Sequence, residues 1–205
     1  MLIKSIIFDF DGVIAQSLKV KTDAFGKLYK QYGDEVVNKV KKHHLAHGGM
    51  SRFEKFKYYH EFFLGKTIGS NEIEKLSKLF SKEVVDGVID APYVPGVLDY
   101  IKKCHSKYKL FISTGTPTNE IKQILEKRDL KKFFSGIYGS PEKKVAHLKD
   151  IICKYNYNAE NLIFYGDAKT DMDAANVHNI PFILVSHGFN KDLSNVFNGK
   201  KIYNF

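Results

Sequence analysis

Residues 5–13 read SIIFDFDGV. An apolar run from Ser5 to Phe8 meets two acids, Asp9 and Asp11, separated only by Phe10, and Gly12 follows at once. Carboxylates this close repel, and a half-buried carboxylate is costly unless something compensates it. Either a cation belongs with them, or the pair faces solvent at a turn, where Asp and Gly are favoured. The run itself, Leu2 to Asp9, is expected to be a β-strand.

Outward from this strand the chain alternates. Lys109–Ser113 (KLFIS), Gly136–Gly139, Leu162–Tyr165 (LIFY) and, as the last, Phe182–Val185 read as strands. Gly96–His105, Pro117–Lys127, Lys143–Tyr155 and Thr170–His178 read as the helices between them. Short apolar runs alternating with amphipathic helices predict an α/β fold, a doubly wound parallel sheet covered on both faces. One stretch breaks the alternation. Residues 16–88 carry helical patterning and no convincing strand, too long for a single crossover. An inserted α-helical cap, residues 15–91, on a core of residues 1–14 and 92–205 accounts for it. Helix starts are expected at Ser51, where SRFE spells a capping box with Glu54, and at Ser70, before NEIEKL.

The 205 residues suffice for one domain with an insertion, and 43% are hydrophobic, among them 16 Phe and 12 Tyr, so a core is available. No stretch approaches the ~20 apolar residues of a membrane helix. The N-terminus does not read as a signal peptide, because acids arrive directly after Phe8. Cys104 and Cys153 lack metal or redox spacing and fit a reducing compartment. A cytoplasmic location without a membrane partner is therefore expected. Net charge is +9. The lysines (Lys19, Lys21, Lys27, Lys30, Lys39, Lys41, Lys42, Lys75, Lys78, Lys82) are spread along predicted helices as on solvated faces, so no nucleic-acid partner is expected. Such a surface suits anionic substrates. Oligomeric state stays open, and a monomer is compatible with the sequence.

In doubly wound sheets ligands bind beyond the carboxyl ends of the strands. The residues there are Asp9 and Asp11; Thr114 and Gly115; Ser140 with Lys144; and Gly166, Asp167 and Asp171. Each has a local explanation. Asp-x-Asp-Gly makes turns, Thr116 before Pro117 can cap a helix, Lys144 can be a solvated lysine, and Asp167 and Asp171 can charge a helix start. Together, in this order, they point to phosphoryl transfer. A cluster of carboxylates repels a phosphate dianion unless a divalent cation intervenes, and Mg²⁺ suits carboxylates and phosphate oxygens. A lysine, a hydroxyl and backbone N–H groups can hold the remaining oxygens. One carboxylate can then attack phosphorus while another moves the proton.

These residues resemble the four motifs of the haloacid dehalogenase superfamily, over nearly the whole chain. Asp9-Phe10-Asp11-Gly12-Val13 matches the first and Thr114 the second, with Ser113 one residue away as the alternative. Lys144 in GSPEKK matches the third, with Lys143 as the alternative, and Gly166-Asp167-Ala168-Lys169-Thr170-Asp171 the fourth. The helical insertion is similar to the cap of the family's first subclass. The resemblance implies Asp9 as nucleophile and Mg²⁺ ligand, and Asp11 as acid/base with its carbonyl on the metal. It implies Asp167 as a further metal ligand, with Asp171 as supporting acid. Gly12, Thr114, the Gly115 N–H and Lys144 would bind the substrate's phosphoryl group.

An acid at Asp11 resembles phosphatases and mutases rather than dehalogenases, which need no proton on their leaving group. Gly49-Met50-Ser51-Arg52 is similar to a cap segment of β-phosphoglucomutases in which the Arg meets a substrate phosphate, so Arg52 is a candidate substrate contact, as is Lys55. Gly166 and GSPEKK depart from the mutase pattern. Gln16 stands where many relatives carry Asp or Glu. The expectation is a Mg²⁺-dependent phosphatase of a small phosphorylated metabolite, a sugar phosphate on the Arg52 resemblance. A β-phosphoglucomutase-like phosphotransferase and a catalytically silent basic binding protein stay open. A phosphorylatable receiver domain is disfavoured by the large insertion, and a Rossmann oxidoreductase by the missing GxGxxG.

Overall fold

The computed structural model describes residues 2–205. In chain order its elements are β1 (Ser5–Phe8), α1 (Leu18–Leu28), α2 (Asp34–Ala46), α3 (Arg52–Tyr58), α4 (Ser70–Asp90) and α5 (Val97–Cys104). They continue with β2 (Lys109–Pro117), α6 (Thr118–Lys127), β3 (Gly136–Ser140), α7 (Lys144–Tyr155) and β4 (Leu162–Gly166). The chain finishes with α8 (Lys169–Val177), β5 (Phe182–Val185), α9 (Lys191–Val196) and β6 (Lys201–Ile202). The strands form one parallel sheet in the order β3-β2-β1-β4-β5-β6. The expected last strand, Phe182–Val185, is not the last. Lys201–Ile202 pairs beyond it on the sheet edge, reached through α9. Two residues carry no readable alternation, so the sequence could not announce this strand.

β1 sits in the middle because it is apolar on both faces. All four of its residues are buried, and successive side chains enter different layers. Ile6 and Phe8 join the core with Leu110, Ile112 and Val97, while Ile7 joins Phe111, Phe164, Leu148 and Ile151 under α7 and α8. β2 pairs on one side of β1 and β4 on the other, so the strand order reverses at β1. That reversal opens a crevice at its carboxyl end, where the chain continues into Asp9.

α1–α4 lie between β1 and α5 and contain no strand. They close on an aromatic centre: Phe25, Phe56, Tyr59 and Phe80 are buried, with Phe25 4.2 Å from Phe80 and edge-on to Tyr59 at 5.8 Å between ring centroids. The expected capping box is present at α3, where the Ser51 hydroxyl accepts from the Glu54 N–H and the Glu54 carboxylate accepts from the Ser51 N–H, each at 3.3 Å. Ser70 is the first helical residue of α4 and makes no cap; the cap position falls to Gly69.

The chain leaves and re-enters the sheet side through two antiparallel segments. Gln16 N–H donates to Pro92 O at 2.8 Å, Val94 N–H donates to Ile14 O at 3.0 Å, and the Gln16 amide donates to Tyr93 O at 2.8 Å. Gln16 therefore staples the two crossing segments. Both arginines tie the helical insertion to the sheet side. Arg128, after α6, donates to the Val88, Ile89 and Ala91 carbonyls that end α4, at 2.6–2.9 Å. Among the described residues no helix is long and apolar enough to cross a membrane.

Candidate active site

Asp9 follows β1 directly, with its N–H donating to Tyr165 O of β4 at 2.9 Å. It is 2% exposed. Its Oδ2 faces Lys144 Nζ at 3.1 Å, while its Oδ1 is buried with no hydrogen-bond partner. Lys144 opens α7, where the helix dipole disfavours a cation. Asp9 and Asp171 offset this: Lys144 bridges the two carboxylates. Burial works against the Lys144 charge, but Asp171 and Asp9 outweigh it and hold the ammonium above its ordinary range. Asp171, fully buried in the first turn of α8, spends its other oxygen on the Ala168 N–H at 3.0 Å.

Asp167 ends β4. Carboxylate oxygens of Asp9, Asp167 and Asp171 all lie within 4.8 Å of one another. Burial raises the Asp9 carboxyl to about 7, against the pull of Lys144. Burial also raises Asp167 and Asp171. Three crowded acids raised by desolvation, one with an orphaned oxygen, are a donor set short of a cation. All the donors are oxygen, as a hard divalent ion such as Mg²⁺ requires. Each Asp171 oxygen already accepts a hydrogen bond, from Lys144 and from the Ala168 N–H, so Asp9 and Asp167 are the carboxylates freer to hold it.

Asp11 behaves differently. Burial alone would raise it, but Lys21 and hydrogen bonds from Lys21, Ser17 and Thr116 outweigh burial and hold it below the usual carboxylate range. Lys21 Nζ donates to Asp11 Oδ2 at 2.5 Å and to Thr116 Oγ1 at 2.7 Å, and the Ser17 hydroxyl donates to Asp11 Oδ1 at 2.6 Å. Two expectations change here. Lys21 is not on a solvated face but 7% exposed. Thr116 is not a helix cap: it lies within β2, Pro117 takes the cap position, and the Thr116 hydroxyl serves Asp11 at 3.2 Å.

The alternatives left open by the motifs separate geometrically. Ser113 is turned to His147 Nδ1 at 3.0 Å, whereas Thr114 and Gly115 line the same cavity as Asp9, Asp11 and Asp167. Lys143 is exposed and paired with Glu54 at 3.2 Å, whereas Lys144 is buried. The cavity measures about 50 Å³, and its helical side comes from α1, α2, α3, Phe80 of α4 and the loop between α2 and α3. That loop sits tightly on the strand ends. A Cβ on Gly115 would come within 2.8 Å of Gly49 O, and one on Gly49, at φ +76°, within 2.1 Å of Thr170 Oγ1. Gly12, at φ +78°, likewise has Asp167 Oδ2 where a Cβ would stand.

Arg52 departs from expectation. It borders the cavity, but its guanidinium forks onto Glu120, Nη2 to Oε1 at 2.5 Å and Nη1 to Oε2 at 2.9 Å, and Nη1 also donates to the Ser81 hydroxyl at 2.7 Å. Its charge is spent within the protein rather than offered to a ligand. His187 escaped the sequence reading. Its Nδ1 accepts from the Phe189 N–H at 3.2 Å, so its Nε2 carries the proton that it donates to Asp167 Oδ2 at 2.9 Å. His187 lies two residues beyond the end of β5 at Val185, and listing that strand end with the others would have found it.

The chain matches the haloacid dehalogenase-like hydrolases over residues 6–185. It belongs to that family. Among similar proteins, the phosphoglycolate phosphatase of Aliivibrio fischeri is 23% identical over 92% of this chain and 86% of its own length. The phosphoglycolate phosphatase of Salmonella typhi is 26% identical over 58% of this chain, a match that spans half of that protein's length. Among solved structures, β-phosphoglucomutase from Clostridium difficile superposes with a TM-score of 0.78 at 22% identity, covering 99% of this chain and 92% of that one. The likeness to this solved structure is one of fold.

Proposed function

We propose that the protein is a Mg²⁺-dependent phosphatase of small phosphorylated metabolites, acting through an aspartyl phosphate on Asp9. The observation that carries this is the unpartnered, buried Asp9 Oδ1 at the crevice of the sheet, beside Asp167 and Lys144. Asp9, Asp167 and the Asp11 carbonyl would hold Mg²⁺. When bound, the ion neutralises phosphoryl oxygens and lets a carboxylate approach phosphorus.

Asp9 attacks phosphorus, and the bond to the substrate's ester oxygen breaks. Lys144 favours the ionised form of Asp9 and orients it, and Thr114 with the Gly115 N–H takes the phosphoryl oxygens as their charge grows. Lys21, hydrogen-bonded to Asp11, supplies through that carboxylate the proton that the departing alkoxide takes. Asp11 then accepts a proton from water as that water attacks the phosphorus of the acyl phosphate, which returns Asp9 and releases phosphate. Residues 15–91 act as a cap over the core of residues 1–14 and 92–205, and the closed loop of Gly48–Met50 excludes bulk water from the first step.

The expectation of a sugar phosphate rested on Arg52, and the ion pair with Glu120 removes that support. The test is phosphate release from p-nitrophenyl phosphate and a metabolite panel, with Mg²⁺ and with EDTA. Release that needs the metal supports the reading. Metal-independent release, or interconversion of sugar phosphates in its place, contradicts it.

A further inference from the structure

Four basic side chains border the site, and three of them have an acid: Lys21 has Asp11, Arg52 has Glu120, and Lys144 has Asp9 and Asp171. The fourth is Lys55 on α3. It is 2% exposed and lines the cavity that holds Asp9. Its Nζ meets His44 Nδ1 at 2.8 Å and the His44 carbonyl at 3.5 Å, and among the described residues no carboxylate lies within ion-pair distance of it. An ammonium has three donors and needs a counter-charge when buried.

His44 supplies an independent observation. It too lines the cavity and is buried. A neutral imidazole that accepts at Nδ1 from an ammonium must carry its proton on Nε2. That Nε2 is buried with no partner. Two residues of the cap side that line the cavity of Asp9 thus keep donors the protein does not use, one of them on a basic group. Burial, reinforced by Lys21, depresses the Lys55 ammonium to about 7, as expected for a cation lacking its counter-ion.

We infer that Lys55 and His44 form an anion subsite, and that the substrate is a compact phosphomonoester bearing a second anionic group close to its ester oxygen. The inference rests on the phosphatase reading and adds what the leaving group must carry. The cavity of about 50 Å³ keeps that group near the phosphoryl end. A carboxylate or a second phosphate would satisfy the same donors.

The test compares kcat/KM for 2-phosphoglycolate and for ethane-1,2-diol bisphosphate with that for 2-hydroxyethyl phosphate, which ends in a neutral alcohol. p-Nitrophenyl phosphate is the generic control. A hydrogen-bonded charge predicts an anionic preference of about 10- to 100-fold, residing in KM, and whichever anionic arm shows it names the group. Lys55→Met should collapse that preference to within about threefold. The wild-type ratio needs no folded variant. Equal kcat/KM on anionic and neutral substrates overturns the subsite and leaves the phosphatase standing. A preference that survives Lys55→Met also overturns it. No release from any substrate, the aryl phosphate included, overturns both.

Discussion

Removing Glu120 should uncouple the helical insertion from the sheet side at a calculable cost. Glu120 on α6 receives Arg52 of α3 in a forked pair, and the two side chains are 7% and 4% exposed. Ser81 of α4 donates to the same carboxylate at 2.5 Å. Arg52 also stacks over Phe80, with its guanidinium 4.6 Å from the ring centre. Taking one partner from a buried pair strands the other and costs about 3–5 kcal/mol, whereas an exposed pair is worth less than about 1 kcal/mol. With an unfolding entropy of about 2.1 cal/mol/K per residue over 205 residues, the transition carries about 0.43 kcal/mol/K. Glu120→Met should therefore lower Tm by about 7–12 °C, and Arg52→Met by a similar amount. The double variant should lose less than either single, because it strands no charge. The assay is thermal and urea unfolding of all four proteins as a double-mutant cycle. Single losses below about 1 kcal/mol that simply add would refute the reasoning. They would mean that water reaches the pair, and hence that α3 stands away from α6 in solution.

Further outcomes follow from the same contacts. His187→Ala takes a donor from Asp167 and should weaken Mg²⁺ or Mn²⁺ binding at least about tenfold by calorimetry, with partial recovery in His187→Gln; an unchanged affinity would exclude His187 from the site. Burial, with Lys144 second, depresses His147 to about 4 from 6.5. The unfolded chain then takes up the proton first as pH falls, so stability is full above about 6.5 and is lost down to about 4. The loss is at most about 3 kcal/mol. His147→Gln should flatten the urea midpoint between pH 7.5 and 5, and an unchanged slope would contradict the assignment.

The parallel sheet and the residues gathered at its rim were legible because both are written locally. β1 is a short run apolar on both faces that ends on Asp9, and the other rim residues likewise follow apolar runs. What stayed hidden depends on partners distant in sequence. Lys21 looks like the lysine of any amphipathic helix, and only the fold turns it toward Asp11 and the cavity. Nothing in α6 announces that Glu120 meets Arg52, 68 positions earlier. Arg52 was read through a resemblance in which the arginine serves the ligand, and here a nearby acid claims it first. Thr116 carries a true capping preference that lost to Asp11 and Lys21.

The central claim is that Asp9 becomes phosphorylated. The most direct measurement is to quench turnover with acid in the presence of Mg²⁺, reduce with borohydride, and read the peptide holding residues 5–13 by mass spectrometry. An acyl phosphate at Asp9 appears as homoserine at that position, and the account predicts it in the wild type and its absence in Asp9→Asn, which should also stop turnover. Continued phosphate release with Asp9 unmodified, or from Asp9→Asn, would contradict the account.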